Sequence, residues 1–262
     1  MARSFQYLRP TSTFEAASLR AEHGTGAVLW AGGTDLMLQW RRGAIDIDTC
    51  IDLTGLDELR RIVIGEHEIT LGAMTTIADL ETHSGLREVF PVFADMARRF
   101  ATPQVRTMAT VGGNLCHAVP SADCAPPLIA LDATVTLCSP AGERSLPLES
   151  FFEGPKLTGL ADDEVLARIA IPRPMTDSSC SYQRMVRSAV DIALAGVACR
   201  LDAETTGTVT AARIVLGAVA PTPVRSLGAE ELLTGIGIGE INDELLGDVA
   251  DAAAAAAHPI SD

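Results

Sequence analysis

Lysine is almost missing from this sequence: of 20 basic residues among 262, Lys156 alone is a lysine. Schiff-base chemistry and lysine-based phosphate clamps therefore have a single candidate. Positive charge of any kind is scarce against 34 acidic residues and a formal net charge of −14. That balance argues against a nucleic-acid partner, because phosphate backbones are bound mainly by the Lys and Arg that neutralise them. The acidity itself is read as a solvated surface. No apolar run approaches the roughly 18 residues that a membrane span needs. The opening MARSFQYLRPTS has no apolar h-region, so the expected location is the cytoplasm.

Other absences concern chemistry. The six cysteines, at 50, 116, 124, 138, 180 and 199, form no C-x-x-C pair and no zinc or iron-sulfur ligand cluster. They are expected to be free thiols, with Cys116 and Cys124 as packing residues. There is no Ser/His/Asp elbow, no H-E-x-x-H and no P-loop. Five histidines are present, and His117 is the one beside the stretch described next. A lone imidazole there is read as a hydrogen-bonded loop residue, so the chemistry is better assigned to a bound cofactor than to a catalytic side chain.

What is present centres on Ala109 to Asp123, ATVGGNLCHAVPSAD, and on an earlier stretch, Leu29 to Leu36, LWAGGTDL. Both run from a β-branched or apolar approach into Gly-Gly, then to polar side chains and a carboxylate. Glycine lets successive backbone amides approach and wrap an anion without a lysine. Each Gly-Gly alone is also readable as a tight turn between strands. The pair, with matching polar decoration, points to a phosphate-bearing cofactor.

An apolar fraction of 47% with 21% charged residues describes a globular chain long enough for two domains. Ser12 with Glu15 marks a helix start. Ala27 to Trp30 reads as a buried strand feeding Gly32 and Gly33, followed by a helix from Asp35 to Arg42. Strands are expected over 50–53, 68–73, 144–148 and 164–171, with a capped helix from Thr75 to His83. Leu86, Val89, Phe90, Phe93, Ala97 and Phe100 fall at the spacing of one core-facing helix. The segment Pro172 to Ser179, PRPMTDSS, is the best linker. Beyond it, 180–187, 191–201 and 208–219 read as three strands, with a helical tail. The GIGIG run at 235–239 lacks dinucleotide-fingerprint spacing and is read as a helix-terminating loop.

AGGTDLM at 31–37 and QVRTMATVGGNLCHAVPSAD at 104–123 resemble the FAD-binding medium subunits of molybdenum hydroxylases, the family of xanthine dehydrogenase and aerobic carbon monoxide dehydrogenase. RMVRSAVDIALAGVA at 184–198 resembles that family's C-terminal flavoprotein domain. The resemblance implies an α+β fold: a PCMH-type (vanillyl-alcohol-oxidase-like) FAD-binding domain over 1–173, built from two α/β subdomains of about 1–55 and 56–173. A small C-terminal domain with a three-stranded antiparallel sheet and helices would follow over 178–262. It further implies that Leu29, Trp30, Ala31, Gly32, Gly33, Thr34, Asp35 and Leu36, with Ala109, Thr110, Val111, Gly112 and Gly113, wrap the pyrophosphate and ribityl of FAD, with Asn114 beside them. Asp123 would take the sugar-like hydroxyls, and Phe100 and Leu166 would be apolar contacts. Gln183 or Arg184 stands where the family commonly has a lysine near the flavin. Asp191 matches a recurrent acidic position, or else forms a structural salt bridge with Arg187. Thr107 replaces a usual Asn.

The implied function is the FAD subunit of a heteromeric molybdenum hydroxylase. A small partner would carry 2Fe-2S clusters and a large partner the molybdopterin cofactor, in a dimer of heterotrimers, with no metal and no catalytic residue on this chain. The alternatives are a stand-alone flavin reductase of the cell-wall enol-sugar-nucleotide type and a flavin-free structural subunit. On the amide-cradle reading, Gly113→Val should abolish FAD retention and leave the fold largely intact. Flavin content after denaturation, alongside a circular dichroism spectrum, checks this.

Overall fold

The computed structural model describes residues 4–174 and 177–260. Met175 and Thr176 of the expected linker, and the outermost residues of the expected domains at 1–3 and 261–262, lie outside the described residues. Three main sheets follow one another along the chain, with a two-stranded one, Phe152–Gly154 and Leu157–Thr158, beside the second. The first is parallel, with Thr49–Asp52 between Gln6–Leu8 and Ala27–Trp30. All four residues of the central strand are buried, as a parallel strand covered on both faces requires. The helix Thr13–His23 lies in this unit. Its N-cap is Ser12, whose hydroxyl accepts the Glu15 amide, while the Glu15 carboxylate turns outward to Thr11 rather than closing the capping box.

The second sheet is antiparallel, in the order Ile62–Ile64, Glu68–Gly72, Val165–Pro172, Thr134–Ser139 and Gly142–Pro147. Its apolar face, led by Ile69, Leu71, Val135, Leu137 and Ile169, packs with Phe93, Met96, Leu115 and Leu128 into one core. The expected single helix over 86–100 is two helices, Ser84–Val89 and Pro91–Arg99. Pro91 explains the break: it has no N–H to continue the first helix, yet it suits the first position of the second.

The C-terminal sheet is antiparallel, in the order Asp177–Met185, Ala195–Ala203, Val209–Gly217 and Val224–Arg225, with helices Leu227–Leu233 and Asp243–Ala255. It has four strands where three were expected. The fourth is two residues long, too short to display a period-2 pattern. The sheet is joined to the second unit by the helix Ala125–Ala130, every residue of which is buried. A helix apolar all round is stable only with protein on every side. Gly217 permits the close approach, since a Cβ there would stand 2.8 Å from a Pro126 ring carbon. Two further ties cross the same junction, Asp132 to Arg200 at 2.8 Å and to Arg213 at 3.2 Å.

Inside the second unit Glu164 is 5% exposed. Its oxygens accept from Arg144 Nε at 2.5 Å, Arg144 Nη2 at 2.7 Å and the Ala161 amide at 2.8 Å. The Arg144 hydrogen bonds hold the Glu164 carboxyl below its ordinary range. A depressed folded-state value means that this stabilisation is present above the unfolded value and is lost as pH falls through the folded one. Glu164→Gln should therefore lower stability by about 2 kcal/mol at neutral pH. The deficit relative to wild type should shrink below about pH 4, as read from urea midpoints at each pH.

Candidate functional site

The two Gly-Gly stretches lie against each other. Strand Ala27–Trp30 delivers the loop 31–35 to the helix Leu36–Arg41. Gly33 is left-handed at φ +67° and sits on the Trp30 ring, where a Cβ would stand 2.8 Å from ring carbon Cζ2. Gly32 meets the other stretch directly, because a Cβ there would fall 1.9 Å from the Met108 carbonyl oxygen. Only glycine allows the two backbones to touch. Among the described residues, the amides of Gly32, Gly33, Thr34 and Asp35 donate to no acceptor in the protein. Four successive free N–H groups around a left-handed glycine form a concavity suited to an anion.

The second stretch differs from the turn that its sequence suggested. Val111–His117 is a helix with Gly112 and Gly113 in its first turn. Its amides are already used: Val111 donates to Thr75 O at 2.9 Å, Gly112 to Ala73 O at 2.8 Å, Gly113 to Thr110 Oγ1 at 3.0 Å and Asn114 to Thr110 O at 2.9 Å. Gly112 is required for packing, since a Cβ would stand 2.7 Å from both Cβ and O of Ala73. A Cβ on Gly113 would press on the capping Thr110 hydroxyl at 2.8 Å, so a Gly113 substitution acts through that cap rather than by blocking a free amide. The Asn114 side-chain oxygen accepts the Cys124 amide at 3.2 Å and fixes the loop that leads to Asp123.

Between the stretches opens a cleft of about 620 Å³. Of the expected residues, Leu29, Ala31, Gly32, Gly33, Thr34, Asp35, Leu36, Phe100, Ala109, Thr110, Gly113, Asn114, Asp123 and Arg184 line it. Gly112 and Leu166 line an adjoining chamber of about 310 Å³, which shares Leu29, Ala31, Gly113 and Cys116 with the cleft and has Arg20 and Lys156 in its wall. Trp30 stands behind Gly33, and Val111 is wholly buried in the core. Gln183 is exposed and holds Arg99 Nη1 at 2.5 Å. Its neighbours Tyr182 and Arg184 alternate to the inner face of their strand, as strand geometry dictates.

That inner face closes the cleft. Asp123 is 6% exposed; Oδ1 accepts the Tyr182 hydroxyl at 2.8 Å and Oδ2 accepts Arg184 Nη1 at 2.7 Å. Burial pushes the Asp123 carboxyl up, against the opposing pull of Arg184 and Tyr182. Arg184 also donates to the Arg99 carbonyl. The Asp191 carboxylate pairs with Arg187 at 2.8 Å, as the salt-bridge alternative anticipated.

Sequence reasoning missed several lining residues. Val190 and Ile192, 61% and 60% exposed, belong to the connection between the first two strands of the C-terminal sheet. The strand expected from Asp191 begins at Ala195, because the alternation of VDIALAGV continues through a stretch that is not strand. Ala101, Val105, Val119 and Ser121 also line the cleft and carried no compositional signal. Cys116 and His117 line it too; burial pushes the Cys116 thiol up to about 12, which keeps it protonated and inert. Among the described residues no group of three or more His, Cys, Asp or Glu could hold a metal, and no helix is long and apolar enough to cross a membrane.

Comparison with known proteins agrees on one family. The family model of the FAD binding domain in molybdopterin dehydrogenase matches residues 3–174, and that of the CO dehydrogenase flavoprotein C-terminal domain matches residues 180–262. The chain is 33% identical over 258 residues to the carbon monoxide dehydrogenase medium chain of Hydrogenophaga pseudoflava, covering 98% of this chain and 88% of that one. It is 34% identical over 230 residues to the xanthine dehydrogenase FAD-binding subunit of Escherichia coli O157:H7, covering 86% and 77%. A solved carbon monoxide dehydrogenase from Hydrogenophaga pseudoflava, lacking the Mo-pyranopterin moiety of its molybdenum cofactor, superposes with a TM-score of 0.94 at 33% identity, over 100% of this chain and 90% of that one.

Gly32→Ala should separate the two stretches by forcing the loop 31–35 off Met108, with a loss of stability of about 1–3 kcal/mol, the typical cost of overpacking. Thermal denaturation of the purified variant, with Gly239→Ala as a control at a glycine outside the left-handed region whose Cβ meets nothing within 4 Å, measures the difference.

Proposed function

Because the chain belongs to the family of FAD-binding subunits of molybdopterin dehydrogenases, we infer that it is the FAD-carrying subunit of a heteromeric molybdenum hydroxylase. The observation that carries this reading is the run of unpartnered amides from Gly32 to Asp35, in residues that line a cleft of about 620 Å³. Four oriented N–H dipoles supply a diphosphate site without lysine, in a chain that has one lysine and places it elsewhere. FAD, when bound, supplies exchange between one-electron and two-electron transfer.

The chain's own residues bind and orient. Gly32, Gly33, Thr34 and Asp35 offer amides to the diphosphate. Leu29, Ala31 and Leu36, with Phe100, Ala109 and Thr110, form the cleft walls that exclude water. Gly113 and Asn114 shape the floor through Thr110 and Cys124. Leu166 contributes an apolar contact from the adjoining chamber. Asp123 and Arg184, each holding the other, set the C-terminal sheet against the cleft, and Gln183 or Arg184 takes the position where the family resemblance implies a lysine near the flavin. Trp30, Val111, Gly112 and Gln183 support the site from behind. The domain boundary lies between residues 173 and 178.

Electrons reach this subunit from 2Fe-2S clusters on a small partner, fed by a molybdopterin centre on a large one, and leave to an external acceptor. The assembly is a dimer of heterotrimers in the cytoplasm. Neither alternative is favoured: the two matched families account for residues 3–174 and 180–262, and their members include dehydrogenase FAD subunits. The purified chain should release about one FAD per polypeptide on denaturation, quantified by chromatography against FMN and riboflavin standards. A colourless protein that releases none and takes up none overturns the reading.

A further inference from the structure

The anion-binding loop carries an anion of its own. Asp35 supplies one of the four unpartnered amides, and its carboxylate lines the same cleft, 61% exposed. Three carboxylates line the cleft in all, Asp35, Asp123 and Asp191. Two are neutralised by arginines, Asp123 by Arg184 at 2.7 Å and Asp191 by Arg187 at 2.8 Å. Asp35 has no such partner among the described residues. The one basic group beside it is His117, from the far end of the helix that begins at Val111, with Nε2 3.8 Å from Asp35 Oδ1. Arg184, the other basic group lining the cleft, is committed to Asp123 and the Arg99 carbonyl.

A carboxylate left free on a loop whose amides address a diphosphate would repel the ligand it helps to hold. We propose that His117 is a positioning residue: it draws the Asp35 carboxylate to itself across the cleft, so that the diphosphate meets the loop's amides and not its negative charge. This rests on the FAD reading above. When the His117 ring carries its proton, two unit charges about 4 Å apart in water interact by about 1 kcal/mol, or about fivefold in affinity, and by more where solvent is excluded. The effect belongs to the phosphate-bearing part of the ligand alone.

The test uses the full chain stripped of flavin and two probes, FAD and riboflavin, titrated by quenching of flavin fluorescence. His117→Ala should weaken FAD by about five- to tenfold and leave riboflavin within about twofold. Asp35→Asn in the His117→Ala background should restore FAD binding to the level of Asp35→Asn alone. His117→Gln, which fills the same space, serves if the alanine variant does not fold. Equal loss of both ligands makes His117 structural and overturns the proposal, as does an FAD loss that Asp35→Asn fails to relieve, or undiminished FAD binding. A wild-type chain that binds neither probe overturns the FAD reading and this inference with it.

Discussion

The contact of Gly32 with the Met108 carbonyl is the constraint from which the site follows. Two segments far apart in sequence meet backbone to backbone, with no side chain between them. The parallel sheet and the antiparallel sheet are thereby held at a fixed separation, and the cleft is the space that remains. The placement of the amides from Gly32 to Asp35 depends on it. Their direction is set by where Ala31 leaves its strand and by the Gly33 torsion, and both are fixed once Gly32 is seated.

Function is divided unequally between the two glycine pairs. In the first, Gly32 and Gly33 let the backbone line the cleft with its amides unpartnered. In the second, Gly112 lets a helix lie on Ala73, and Gly113 leaves room for the Thr110 hydroxyl. Identical dipeptides thus serve opposite ends, one leaving its donors unspent and the other spending them all on the protein. The spent donors make the second stretch rigid, and a rigid floor is what allows the first stretch to remain open without collapsing onto it.

This division marks the limit of what the sequence made legible. Gly-Gly beside a hydroxyl and a carboxylate located both walls of the cleft, because the need for a missing Cβ is a local property. Whether the amides are free is settled by partners such as Ala73 and Thr75, remote in sequence and invisible to pattern. Ala27–Trp30 and Glu68–Gly72 were readable from their own residues, whereas Gln6–Leu8 and Ile62–Ile64, three residues each, are edge strands whose state is decided by the neighbour that pairs them. Val190 and Ile192 escaped for the opposite reason: their alternation was genuine, and its meaning was a cleft wall rather than a strand. Tyr182 and Arg184 gave a correct strand and no hint that both would end on Asp123.

Arg184, Val190, Asp191 and Ile192 line a cleft whose opposite wall begins at Leu29. On a growing chain, the residues that form the first wall emerge from the ribosome long before those that close it. The helix Ala125–Ala130, apolar on all sides, waits for the same late segment to cover it. The enclosed site therefore exists only after Arg184 to Ile192 have been made, which places capture of the cofactor after synthesis of that segment.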